Sequence, residues 1–129
     1  MADRRRVLIV DDSTTVCSVV ERILRSCGFS EIEALQQGQA ALDRLQAAHF
    51  DIVICDWEMS PMSGIDVLNK VRHEASTRDT HFILMSAKRD MEWILEAKKA
   101  GADGLITKPF TPDTLKQKIS QLSAPHAVA

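Results

Sequence analysis

Five side chains able to do chemistry share one feature of placement. Asp11 and Asp12, then Asp56, Ser86 and Lys108, each come at the end of a short apolar or β-branched run. The runs are Val7–Val10, Ile52–Cys55, Phe82–Met85 and Gly104–Thr107. Carboxylates gathered at one place repel and raise one another's pKa. A divalent cation relieves that repulsion. No Cys or His stands at these ends except Cys55, whose side chain should point away from Asp56. Oxygen-only ligands suit Mg2+ or Mn2+ rather than zinc. A carboxylate beside such a cation can attack phosphorus and form an acyl phosphate. Lys108 would offer a point charge, and Ser86 a hydroxyl donor, to phosphoryl oxygens. Taken singly, a strand-end Asp is a turn former or helix cap. An acidic pair, a third acid, a hydroxyl and a lysine on successive ends favour a shared site.

These groups can meet only if the runs are parallel strands. Each run is too short for a helix, and its composition suits a strand buried on both faces. Between the runs, apolar residues recur at helical spacing. Val16, Val19, Val20, Ile23, Leu24 and Cys27 mark a first helix, with Gly28 as its left-handed stop. Glu31–Leu35 is a weaker strand, and Ala41, Leu42, Leu45 and Ala48 mark a second helix. Ile65, Leu68 and Val71 give a third, ending near Arg72. Asp90 should cap a fourth, carrying Met91, Ile94 and Leu95 and stopped near Gly101. Thr111-Pro112-Asp113 starts a fifth, with Leu115, Ile119 and Leu122 on one face. Alternating strands and helices predict an α/β fold, one parallel sheet covered on both faces. Right-handed crossovers then put every strand's carboxyl end on one edge, where ligands of open α/β sheets bind.

Composition narrows the function. A chain of 129 residues is expected to form a single domain, 1–129, with a core of about 5–122 and a flexible tail, 123–129. It can bury roughly two-thirds of its unfolded surface without disulfides. A net charge of −2 gives no bulk attraction to nucleic acid or anionic lipid. Arg4-Arg5-Arg6 reads as a solvated lead-in. No apolar run approaches the ~20 residues of a membrane span, and no signal-peptide core is seen, so a cytoplasmic location is expected. Cys17, Cys27 and Cys55 have no metal spacing and read as small core residues.

Four stretches together resemble the response-regulator receiver family: Val7–Ser13, Asp56–Met59 with Gly64 following, Met85-Ser86-Ala87, and Thr107–Phe110. The resemblance is nearest to the stand-alone chemotaxis type. It implies a flavodoxin-like doubly wound sheet of five strands, order 2-1-3-4-5, with helices on both faces. It implies that Asp56 is the phosphoacceptor. Asp11, Asp12 and Asp56, with the backbone carbonyl of Glu58, would hold Mg2+. Ser86 and Lys108 would bind the phosphoryl group, and the Lys108–Pro109 bond would be cis. The donor would be a phosphohistidine on a sensor histidine kinase or phosphotransfer protein. The chain would be no enzyme beyond its own phosphotransfer and autodephosphorylation. Output would run through a protein partner at the face of helix four, strand five and helix five, with phosphorylation-linked dimerisation as one route.

Three departures stand out. Ser60 precedes Pro61 where the family usually has Pro directly after Met; Leu105 replaces an aromatic switch residue; Lys88 replaces a frequent acid. Glu58 and Lys88 would overhang the path of a hydrolytic water. They would pair as a gate that slows phosphoryl loss, or Glu58 would act as a base that speeds it; Lys88 favours the gate. Trp93 lies off the Ile94–Leu95 stripe and is either an exposed anchor for the partner or a ring partly buried by lysine stems. Three rival functions compete with the switch. A flavin carrier is disfavoured because Asp11-Asp12 would repel its phosphate and no Tyr is present. A receiver-like module that takes no phosphate would leave all five polar groups without a task. A metal-dependent phosphatase would need a substrate pocket, for which the sequence offers no candidate.

Overall fold

The computed structural model describes residues 3–122; the expected tail, 123–129, lies outside them. Among the described residues, strands and helices alternate: β1 (Asp3–Val10), α1 (Thr14–Ser26), β2 (Phe29–Leu35), α2 (Gly38–Ala47), β3 (Ile52–Asp56), α3 (Gly64–Arg72), β4 (His81–Ser86), α4 (Met91–Ala100), β5 (Gly104–Thr107) and α5 (Pro112–Ser120). The strands form one parallel sheet in the order β2-β1-β3-β4-β5. The doubly wound α/β fold expected from the sequence is therefore present.

Strand periodicity divides the core in two. Val7, Ile9, Ile52, Ile54, Ile83 and Met85 face α1 and α5, where Val20, Leu24, Leu115 and Ile119 meet them. Their neighbours Leu8, Val10, Val53, Cys55, Phe82 and Leu84 face the opposite way, against Ala41 and Leu45 of α2 and Val67, Leu68 and Val71 of α3. Burial of β1, β3 and β4 on both faces explains their unbroken apolar runs.

Caps set the helix starts. Ser13 Oγ accepts the Val16 N–H, Thr111 Oγ1 accepts the Thr114 N–H, and Ser63 forms a reciprocal capping box with Asp66. Asp90 takes the cap position of α4 but makes no side-chain cap bond. Gly28 and Gly101 adopt φ of 101° and 96° after α1 and α4. Both Ser60–Pro61 and Lys108–Pro109 are cis; the second was expected.

Two expectations are corrected. Met91, Ile94 and Leu95 do not dock α4; they are 66%, 37% and 52% exposed. Ala97 is buried instead, with Trp93 and Ala100 packed against the same core. Those residues also recur at helical spacing. Nor is all of Arg4-Arg5-Arg6 a solvated lead-in, for β1 begins at Asp3 and, although Arg4 is exposed, Arg5 and Arg6 are half-buried. Arg5 bonds Asp3 and the Leu122 carbonyl. Arg6 bonds Glu33 and the His49 carbonyl and lies 4.7 Å from the centre of the Phe50 ring.

The approach of α3 to β3 leaves no room for a side chain at Gly64. Its N–H donates to the Trp57 carbonyl at 2.9 Å. A Cβ there would collide with the Asp56 carbonyl oxygen and lie 2.9 Å from both Asp56 C and Trp57 Cα. These are backbone atoms, which cannot rotate away. Gly64→Ala is expected to lower stability by about 2–3 kcal/mol, the cost of an overpacked site without slack; urea denaturation of both proteins measures it.

Candidate functional site at the carboxyl edge of the sheet

Backbone hydrogen bonds carry the ladder one step past the strands and fix the site residues. Asp11 N–H donates to Leu35 O at 3.0 Å, Trp57 N–H to Met85 O at 2.8 Å, and Lys108 N–H to Ser86 O at 2.7 Å. Parallel pairing thus places Asp11, Asp56, Ser86 and Lys108 along one edge. Lys108 Nζ donates to Asp11 Oδ2 at 2.9 Å and to Asp56 Oδ1 at 3.0 Å. Asp11 Oδ1 accepts the Ser13 N–H, tying the site to the start of α1. Carboxylate oxygens of Asp11, Asp12 and Asp56 lie within 4.8 Å of one another. Asp11 and Asp56 are buried and Asp12 is exposed. The three acids and the lysine predicted from spacing are therefore brought together.

Electrostatics differ across the cluster. Burial drives the Asp56 carboxyl up; the Lys108 hydrogen bond pulls it back, and the charge of Asp11 raises it again, leaving it at about 6. Burial works against the Lys108 ammonium, but its bonds to Asp11 and Asp56 outweigh this and raise its pKa. Asp56 is thus mostly ionised at neutral pH. The donor set is oxygen-only and carries three formal negative charges against one ammonium. That excess fits a hard divalent cation of the Mg2+ kind.

Ser86 is fully buried, but its hydroxyl is not directed to Asp56. It donates to Glu58 Oε2 at 2.6 Å, and Glu58 Oε1 accepts the Ala87 N–H at 3.1 Å. The expected Glu58–Lys88 pair is therefore not formed. Lys88 Nζ lies 4.7 Å from the centre of the Trp93 ring instead. Two fixed donors at the end of β4 outcompete a flexible exposed ammonium, whose salt bridge is worth about 0–1 kcal/mol. Trp93 is not an exposed anchor. It is half-buried and meets Trp57 edge-on, with ring centroids 4.3 Å apart. The family resemblance flagged Glu58 and helical spacing flagged Trp93; neither could name a partner, because the partners lie on other segments. Leu105 is partly buried and, with Ile94, Lys98 and Lys118 among others, lines a cavity of about 380 Å3.

Fold and site together define a doubly wound α/β domain with an acidic, lysine-bridged centre at its carboxyl edge. Residues 7–120 match the family described as the response regulator receiver domain, and the chain belongs to that family. It is similar to chemotaxis protein CheY-3 of Vibrio cholerae, 38% identical over 117 residues, which cover 91% of this chain and 90% of that protein. It is 35% identical to chemotaxis protein CheY of Pseudomonas aeruginosa over 117 residues, covering 91% and 94% of the two chains. The solved structure of Vibrio cholerae chemotaxis protein CheY4 superposes with a TM-score of 0.86 at 32% identity, covering 93% of this chain and 99% of that one. The resemblance within the family is thus to the chemotaxis type. Among the described residues, no helix is long and apolar enough to cross a membrane.

Because folding raises the Asp56 pKa from 3.8 to about 6, its ionisation costs stability. The cost is absent below the unfolded value and complete above the folded one. In chelator, Asp56→Asn is expected to be more stable than the parent by about 1–2 kcal/mol at pH 8, the discounted equivalent of that shift. The advantage should shrink as pH falls through 6 and vanish only below the unfolded value, by about pH 3, where the parent carboxyl is protonated in both states. Thermal melts of the two proteins across this range check it.

Proposed function

We propose that this protein is a phosphorylation-dependent switch of a two-component system, with Asp56 as phosphoacceptor. The observation that carries the reading is the Lys108 ammonium held between Asp11 and Asp56. It puts a fixed positive charge beside a buried nucleophile. The phosphoryl donor is a phosphohistidine of a sensor kinase or phosphotransfer protein. An Asp56 carboxylate oxygen bonds to phosphorus as the phosphorus–nitrogen bond breaks. The nitrogen lone pair returns to the imidazole, which takes a proton from solvent. Lys108 neutralises a phosphoryl oxygen during transfer.

Asp11, Asp12 and Asp56, with the Glu58 backbone carbonyl, would hold Mg2+ or Mn2+; that ion would offset the charge shared by the acids and the phosphoryl oxygens. Residues 1–129 act as one receiver unit whose catalysis is confined to its own phosphotransfer and hydrolysis. Output passes to a protein partner at the face of α4, β5 and α5. The exposed Met91, Ile94 and Leu95 support this surface, as does the adjoining cavity beside Leu105. With Leu105 in place of an aromatic, the signal must move α4 without a ring flip.

Incubation with acetyl phosphate and Mg2+ should add one phosphoryl group by intact mass. Asp56→Asn should stay unmodified, and excess chelator should stop labelling of the parent. Lys108→Ala should slow labelling about 10- to 100-fold, at or below what one lost oxyanion donor costs. Undiminished labelling of Asp56→Asn would refute the assignment. In a second measurement, beryllofluoride should shift amide resonances of α4 and β5 more than those of α2; shifts that spare α4 and β5 would exclude this output face.

A further inference from the structure

Ser86 Oγ carries one proton, given to Glu58 Oε2 at 2.6 Å, while the oxygen accepts the Lys88 N–H at 3.0 Å. The Ala87 N–H gives its one proton to Glu58 Oε1 at 3.1 Å. A single carboxylate thus occupies both of these donors. Neither can serve a second acceptor at full strength. A phosphoryl group on Asp56 would bring acceptor oxygens of its own to the same edge of the sheet.

The two sides of this clasp differ in solvation. Ser86 is 0% exposed, so its hydroxyl cannot be left without a partner except at the cost of a buried unpaired polar group. Glu58 is exposed and can turn into water at little cost. The donors are fixed and the acceptor is free to leave, which is what a displaceable occupant requires. Lys88, Trp93 and Trp57 link the same segment to α4 and back to the residue after Asp56.

We propose that Glu58 is a positioning residue that stands in for the phosphoryl group. Its carboxylate holds the Ser86 hydroxyl and the Ala87 amide in the unphosphorylated protein, and it must be displaced before they turn to Asp56. The inference rests on Asp56 as phosphoacceptor. It replaces the idea of a Glu58–Lys88 gate with competition between two anions for one pair of donors.

The test is a titration of the whole protein with beryllofluoride in Mg2+, followed by the fluorescence of Trp57 and Trp93. Parent, Glu58→Ala, Glu58→Gln, Ser86→Ala and the Glu58→Ala/Ser86→Ala double variant are compared. Glu58→Ala should bind about five- to tenfold more tightly, as when a clasp leaves only a tenth to a fifth of molecules competent. Glu58→Gln keeps one acceptor oxygen and should gain less. In the Ser86→Ala background the gain from Glu58→Ala should fall to about twofold or less, since most of what Glu58 withheld is gone. An equal gain in both backgrounds would assign the effect to charge acting through space and overturn the proposal. So would unchanged or weaker binding by Glu58→Ala. A parent that binds no beryllofluoride, or a parent and Asp56→Asn that bind it equally, would overturn the functional reading and this inference with it. Amide hydrogen exchange gives an independent readout: Ala87 should exchange faster in Glu58→Ala, and unchanged exchange would also overturn the proposal.

Discussion

Two carboxylates with almost no access to water share one ammonium. Asp11 is 1% exposed and Asp56 4%, and each takes a hydrogen bond from Lys108 Nζ. Burying like charges together is unfavourable unless a cation is held between them. Lys108 meets that requirement incompletely, for the Asp56 carboxyl remains well above its ordinary range. The resting site is therefore built with an excess of negative charge. That excess suits a hard divalent cation of the Mg2+ kind.

The sheet exists around this constraint in a literal sense. Asp11, Asp56 and Lys108 come from β1, β3 and β5 or the residues just after them, far apart in sequence. Parallel pairing brings them to one edge, and ladder bonds extending past the strands hold them there. Gly64 lets α3 close against the backbone of Asp56 itself. Rigid packing on both faces leaves little freedom at the strand ends. What freedom remains lies in exposed side chains such as Glu58, and in α4, whose most apolar residues are not in the core.

The shallow burial of α4 has a physical basis. Its contact with the core runs through Trp93, Ala97 and Ala100, two of which are small. Little apolar area is buried per turn, so the helix can shift at modest cost. Its first turn follows the Ser86–Lys88 segment directly, and Trp93 joins it to Trp57. A change in the partner of Ser86 therefore has a short mechanical route to a helix whose outer face is apolar.

The sequence by itself determined the layered architecture and which polar side chains gather at the carboxyl edge of the sheet. Short β-branched runs, helical spacing and cap residues are local signals, and Asp11, Asp12, Asp56, Ser86 and Lys108 announced themselves by ending those runs. The parallel rule for such connections then placed them together without coordinates. Tertiary structure decided which of two apolar stripes on α4 faces inward, because both satisfy the same period and only fit to the sheet separates them. It also decided that Arg5 and Arg6 pair and stack instead of reaching into solvent, since their partners lie on other segments. It assigned Glu58 to Ser86 and Ala87 rather than to Lys88, and Trp93 to Trp57. Loop side chains have no repeat that fixes their direction, so their partners follow from the packing of distant elements.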